Sequence, residues 1–307
     1  MIDVESLSQQ SKVDFSVIIA TRNRKHLLEN ILLDIAQNSI VPFLVIVIDS
    51  SDNYERNTNN YPFHLIHLYT DQKSAAIQRN IAIEILGESD SYGEFVTILD
   101  DDVRIKEDYF RSIIETFKKY PAAIGVSGIT EESAQFKNYR LLRSLIGLSG
   151  KPGQLTRAAV NISPAGIENC RSVDWLIGCS SWRSEIFRMM KYEPDFQGQS
   201  LFEDVIFSAR ARKYGLLVVN PGIKLFHKHS EVGRPEMADH YKMWVINRYR
   251  IFKYDIPNVY LSAYWLANVS LLVLYLTKSL SKDEKARSKA RGILKGMQEV
   301  YIRRLSQ

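Results

Sequence analysis

The chain has 307 residues, of which 45% are apolar and 24% charged, and this excludes wholesale disorder, collagen and a coiled-coil rod. The net charge of +5 is unevenly spread: nine Lys/Arg stand against three acids from Lys278 onward, so that segment carries +6 and residues 1–277 carry −1. A body without net positive charge argues against nucleic acid as a partner, whereas a basic end suits an anionic surface.

The opening MIDVESLSQQSKVDF has no apolar h-region, so no secretory signal is expected, and residues 1–13 read as a lead. Residues 15–20 (FSVIIA) read as a buried strand, and Leu27, Leu28, Ile31, Leu32 and Ile35 as the apolar face of a helix. Further strands are expected at 43–48, 64–68 and 94–99, with helices at 74–86 and about 107–119 and a short apolar run at 122–127. Strands alternating with helices predict an α/β domain around a mostly parallel sheet covered on both faces. Residues 130–170 read as a long excursion on the acceptor side. A helix around 201–214 and two short strands, 216–219 and 223–226, close a domain spanning 14–235. Residues 236–307 are a helical extension, first rich in Tyr, Trp, Arg and Lys, then uncharged from 256 to 277, then basic. The cysteines, Cys170 and Cys179, are too few for a disulfide framework and point to a reducing compartment.

Ligands of an open parallel sheet bind beyond the carboxyl ends of its strands. Those ends carry Thr21-Arg22-Asn23-Arg24, then Asp49-Ser50-Ser51-Asp52, then Asp100-Asp101-Asp102. The arginines could meet phosphates. Three adjacent carboxylates repel one another, and Mg²⁺ or Mn²⁺ shared with diphosphate oxygens would relieve that cost; the bland alternative is a solvated turn that caps the next helix. Glu203-Asp204 opens an apolar-periodic segment. It is either ordinary helix-start chemistry or a general base for an acceptor hydroxyl. His227 and His229 form a His-x-His that lacks the further ligands of a zinc set. There is no Walker A loop, G-x-G-x-x-G, H-E-x-x-H or G-x-S-x-G.

In this order the segments FSVIIATRNR, VIVIDSSD, AIQRNIAIE, FVTILDDDV, LIGCSSWRSEIF, FEDVIFSARARKYG and LFHKHS resemble family 2 glycosyltransferases of the GT-A fold, over roughly residues 14–230. The resemblance implies a nucleotide-sugar donor, a divalent cation (Mn²⁺ or Mg²⁺), inversion at the anomeric carbon and an acceptor hydroxyl on a glycan or lipid-linked glycan. It places Asp100 and Asp102 at the D-x-D positions, with Asp102 as metal ligand and His227 approaching the metal or diphosphate. Asp204 matches the base, with Glu203 the next candidate. Thr21, Arg22, Arg24, Asp49, Arg79 and Asp101 fall among the nucleotide-sugar positions. Two departures stand out: Ser50-Ser51 follow Asp49, and Gln78 replaces the family's usual Ala before Arg79-Asn80. A nucleotidyltransferase would share the layout and cation but wants a Gly-rich loop after the first strand, which TRNRKHLLEN lacks; an inactive carbohydrate- or membrane-binding homologue is the other alternative.

As a helix the run 256–277 would be roughly 33 Å long, enough to cross a bilayer core. A single crossing would put the basic tail outside, against the positive-inside tendency. The tail spaces Ala286, Ala290, Ile293, Leu294, Met297, Val300, Tyr301 and Leu305 on one face, and Tyr241, Trp244, Arg248, Tyr249, Arg250 and Lys253 resemble an interfacial belt. The expectation is therefore a cytoplasmic protein, peripheral or monotopic on the inner face of the membrane through 237–307. The competing reading packs the run on the domain or on a second subunit of an oligomer.

Overall fold

The computed structural model describes residues 14–88, 93–130, 140–196, 201–227 and 236–305. Strand β1 (Phe15–Thr21) pairs in parallel with β2 (Leu44–Asp49) and β4 (Phe95–Asp100), and β2 with β3 (His64–Tyr69). Beyond β4 the sheet changes direction. β8 (Ser180–Arg183) lies antiparallel between β4 and β6 (Ala123–Thr130), β9 (Leu216–His227) runs parallel to β6, and β5 (Val103–Ile105) lies antiparallel on β9. The two-residue β7 (Arg171–Ser172) pairs with β9. The parallel half was expected; the antiparallel half comes from β8 entering between β4 and β6.

β1, β2 and β4 are buried on both sides because both faces of the sheet are covered there, whereas β3, at the sheet edge, keeps His64, Leu68 and Tyr69 exposed. Along β1, Ile18 joins one buried cluster with Ala82, Leu86, Ile98, Trp182 and Phe207. Val17 and Ile19 join the other, with Leu28, Ile31, Phe110 and Ile113. Thus α2 (Ala75–Glu88) and α6 (Glu203–Ala211) cover one face, and α1 (Lys25–Ala36) and α3 (Tyr109–Lys119) the other. The short helices α4 (Arg140–Leu145) and α5 (Glu185–Met189) lie in the connections.

The two short strands expected at 216–219 and 223–226 are one. Val219 pairs with Ser127 and Lys224 with Ile129, so Asn220-Pro221-Gly222-Ile223 bulge opposite Gly128 alone. Proline cannot donate to the ladder and sits in that bulge. Gly128 permits it: a Cβ there would lie 2.7 Å from Ile223 Cγ2 and against the Ile223 carbonyl.

The extension comprises α7 (Met237–Tyr249), a 3₁₀ turn at Arg250–Lys253, α8 (Leu261–Ser279) and α9 (Glu284–Leu305). Asn258 at φ 63 turns the chain into α8, which starts at Leu261, inside the uncharged run 256–277. These helices enclose a third apolar cluster that includes Val245, Tyr264, Leu271, Ile293 and Val300. Leu148 and Ala158, from the excursion after β6, belong to the same cluster.

The surfaces of this region that were expected to meet a membrane are partly used inside the protein. Ala286, Ala290, Ile293 and Val300 are buried, so this part of the apolar stripe of α9 is used inside the protein, whereas Leu294 and Tyr301 are exposed. Within the expected aromatic-basic belt Arg248 is internal, whereas Tyr241, Trp244, Tyr249 and Arg250 are half-buried and Lys253 is exposed. Arg248 is 0% exposed, stacked 3.9 Å from the Trp244 ring centre, and donates to the Ala158 and Ala159 carbonyls and to Asn268 Oδ1. Arg250 and Lys253 pair with Asp195.

Candidate active site

The ends of β1, β2 and β4 lie side by side, because Thr21 is in register with Asp49 and Ala20 with Asp100. The three polar strand ends singled out in the sequence therefore meet at one edge. At the β4 end the three aspartates separate into different environments. Asp101 is buried, accepting from Thr21 Oγ1 at 2.7 Å and Arg24 Nη1 at 2.9 Å. Burial pushes its carboxyl up to about 6 against the pull of Arg24 and Thr21. Arg24 also reaches Asp102 at 3.2 Å. Asp100 keeps 36% of its side chain exposed and is the most open of the three.

Arg79, expected at a nucleotide-facing position, lies on α2. It is 4% exposed, and its guanidinium lies between Asp100 (2.8 Å) and Glu203, over the Tyr192 ring. Two carboxylates on distant elements meet its terminal nitrogens, Asp100 at Nη2 and Glu203 at Nη1, so it ties the end of β4 to the first turn of α6. Glu203 is thereby bound in a buried ion pair. Its neighbour Asp204 accepts the Val205 N–H at 2.8 Å. Burial pushes the Asp204 carboxyl up to about 6, and the Asp100 charge adds to the rise while Arg79 and the Val205 N–H oppose it.

At the β2 end Asp49 is buried and accepts the Ser51 backbone N–H at 2.8 Å; the Ser51 hydroxyl also donates to it. Burial opposes its ionisation, but hydrogen bonds from His67 and Ser51 hold it below the usual carboxylate range. A cleft of about 540 Å³ opens here between the start of α1 and the β2–β3 connection, with Asn23, Asp49, Ser51, Asp52, Asn57 and His67 among its walls. Arg22 stands on the rim, 3.6 Å from Asp52.

The two family departures have local roles. Ser51 orients Asp49 and its hydroxyl accepts the Asn23 N–H at 2.7 Å. Gln78 donates to the Thr21 and Ile48 carbonyls, at 2.9 and 2.7 Å, and so closes the open ends of β1 and β2. Sequence reading missed His67, Tyr192 and Cys179. Tyr192 sits under Arg79, and Cys179 Sγ accepts the Asp100 N–H at 3.4 Å. Only His67, a polar residue in an alternating strand, left a trace in the sequence.

Among the described residues no three His, Cys, Asp or Glu side chains gather as a ready cation cage. Asp100 and Asp102 do fit a divalent cation that takes its remaining ligands from a diphosphate, since both offer hard carboxylate oxygens. Gly178 leaves room beside them: a Cβ there would lie 3.6 Å from Asp100 Oδ2. His227 ends β9 in register with Val103, the residue after Asp102; its side chain, like His229, lies outside the described residues.

Residues 16–171 match the family described as Glycosyl transferase family 2. Among solved structures, GalNAc-T7 with UDP, GalNAc and Mn²⁺ superposes at a TM-score of 0.57 and 12% identity, over 80% of this chain and 48% of that one. The mannosyltransferase PcManGT from Pyrobaculum calidifontis, in complex with GDP-Man and Mn²⁺, gives 0.54 and 14% over 93% and 86%. S. aureus TarS 1–349 in complex with UDP-GlcNAc gives 0.51 and 15% over 94% and 92%. The chain thus spans about half the length of the first of these and most of the other two. At such identities the likeness establishes the fold. No curated protein matches the chain by sequence.

Proposed function

The chain belongs to glycosyl transferase family 2 and has the GT-A fold, and from that premise we propose that it transfers a sugar, with inversion, from a nucleotide-sugar donor to an acceptor hydroxyl of a glycan or lipid-linked glycan. The observation that carries this reading is the pairing, through Arg79, of two carboxylate centres from distant sequence: the Asp100 end of β4 and the Glu203-Asp204 start of α6. The cleft at the β1 and β2 ends takes the nucleoside, with Asp49 on its wall and Arg22 at its rim. The diphosphate then points toward Asp100 and Asp102.

Asp100 and Asp102 hold Mn²⁺ or Mg²⁺, and His227 is the third candidate ligand. When bound, the cation supplies Lewis-acid stabilisation of the charge that builds on the leaving diphosphate. Asp204 takes the proton from the acceptor hydroxyl. With its carboxyl pushed up to about 6 it is ionised at neutral pH yet more basic than an ordinary aspartate. Arg79 keeps Asp100 and α6 at a fixed separation, and Thr21 and Arg24 brace the turn through Asp101.

Calorimetric titration of UDP and GDP in the presence of Mn²⁺ tests the donor side. Asp102→Ala should abolish the Mn²⁺-dependent part of binding with the circular dichroism unchanged. Equal affinity in the variant would remove Asp102 from the metal site. Binding without transfer to any glycan acceptor would favour an inactive homologue.

The structure also supports a specific attachment to an anionic bilayer surface through α8. This helix is the one described segment long and apolar enough to cross a membrane, with a mean hydropathy of 1.2. Leu266, Val269, Val273 and Leu276 form an exposed stripe on it that continues to Leu280 just past its end, and exposed Lys278, Lys282, Lys285, Arg287, Arg291 and Lys295 lie at and beyond that end.

A further inference from the structure

The β2–β3 connection has no helix or strand of its own between Ser51 and Phe63, yet it walls the nucleoside cleft. Its anchors converge on one residue of β3. The Asn57 backbone N–H donates to His67 Nδ1 at 2.9 Å, and the Tyr54 hydroxyl donates to the His67 carbonyl at 2.9 Å. The Tyr54 ring packs edge-on against the imidazole, 5.2 Å between centres. On the other side, His67 Nε2 is 3.3 Å from Asp49 Oδ2. His67 pairs with Val47 in the sheet, so Asp49, two residues on, is its diagonal neighbour on the same face.

These bonds fix the tautomer. A backbone N–H can only donate, so Nδ1 must be bare; the single proton of neutral imidazole is then on Nε2, aimed at Asp49. The ring is 3% exposed, which shields the arrangement from solvent. A doubly protonated ring would set two donors against each other at Asn57.

We infer that His67 is a positioning residue for the donor site: as the Nε2–H tautomer it orients the Asp49 carboxylate and, through Nδ1, holds the outer wall of the cleft in place. The inference rests on the cleft receiving the nucleoside. His67 touches no reacting atom; it acts through Asp49 and Asn57. A packing histidine would need neither a defined tautomer nor bonds in both directions.

Two substitutions separate the two bonds. His67→Gln places an N–H donor where Nε2 stands and keeps the bond to Asp49. His67→Asn places an acceptor where Nδ1 stands and keeps the bond to Asn57. With Mn²⁺ present and UDP and GDP as probes, His67→Leu should raise the Kd of the nucleotide that wild type binds by about tenfold or more, the loss of about one oriented hydrogen bond to a charged group. His67→Gln should recover affinity to within about threefold of wild type, and His67→Asn should not, although all three should share a similar circular dichroism spectrum. Independently of any nucleotide, ¹⁵N–¹H correlation spectra of the wild-type protein at pH 7.5 should report His67 as the Nε2–H tautomer. An Nδ1–H tautomer, or a His67→Leu variant that binds nucleotide as wild type does, would overturn the inference while leaving the cleft as the donor site. Wild-type protein that binds neither nucleotide would overturn the donor-site reading, and this inference with it.

Discussion

Asp204 and its neighbour Glu203 differ by one methylene in the sequence and by their whole environment in the structure. Arg79 neutralises Glu203, whereas Asp204 is desolvated and feels Asp100. Asp204→Asn should therefore bind nucleotide normally and lose transfer by ~10²-fold or more, measured as release of nucleotide at saturating donor. In the wild type, transfer should rise with pH through about 6 and level off above it, because the base must be ionised. The same shift has a stability consequence of opposite sense. A carboxyl whose folded pKa is raised binds its proton more tightly in the folded state, so its contribution is favourable below about 4 and lost as pH rises through about 6. The Asn variant should have the higher Tm at pH 7.5, and that advantage should vanish below pH 4. Arg79→Met leaves Asp100 and Glu203 without their shared cation and should cost ~3–5 kcal/mol of unfolding free energy. Adding Glu203→Gln should return part of that loss in urea titrations.

β1, β2 and β4 were legible in the sequence because each is a mostly apolar run ending in a polar group, broken only by Ser16 in β1 and Thr97 in β4, and both their faces are buried. β5 was not, since Val103–Ile105 is three residues long and is a strand only by virtue of pairing with β9. Asn220-Pro221-Gly222 carries every local sign of a turn, and only the bulge across from Gly128 keeps β9 continuous. Within the candidate site, strand ends could be read from their polarity, but the partner of each carboxylate could not. Arg79 lies 21 residues from Asp100 and 124 from Glu203, and no local pattern encodes that link. The packing of α9 was hidden for a similar reason: Gly292 and Gly296 read as weak helix positions, but they are the surface on which α7 rests. A Cβ on Gly296 would lie 2.8 Å from Val245 Cβ, and one on Gly292 would press on the Ala238 carbonyl. Gly292→Ala should gain ~1 kcal/mol of helix propensity. The clash is with helix backbone, which cannot turn aside, and overpacking of this kind costs ~1–3 kcal/mol. The variant should therefore be no more stable than wild type and up to ~2 kcal/mol less so, with the helix content by circular dichroism unchanged.

The extension is built into the protein rather than tethered to it. Arg248 joins α7 to the Ala158–Ala159 backbone and to α8, and Tyr260 N–H donates to the Arg157 carbonyl at 2.8 Å, so the three helices and the excursion after β6 move together. Whatever α8 rests on thus has a fixed placement relative to the donor cleft. Its exposed stripe, Leu266, Val269, Val273, Leu276 and Leu280, repeats at three and four residues, and no charge interrupts it before Lys278. An anionic bilayer suits it better than bare solvent, since apolar side chains would enter the acyl boundary while the exposed cations of the α8–α9 turn and α9 meet headgroups. Cosedimentation with vesicles containing about a third phosphatidylglycerol should capture the protein at low salt, and vesicles of phosphatidylcholine alone should capture much less. Val273→Glu places a charge in the middle of the stripe and should abolish capture without lowering Tm, because residue 273 is 54% exposed. Replacing Lys282, Lys285 and Arg287 with Gln should weaken capture and flatten its salt dependence. A stripe that instead seats a second copy would show a dimer in sedimentation equilibrium that Val273→Glu dissociates, with no difference between the two kinds of vesicle, and that result would end the bilayer reading.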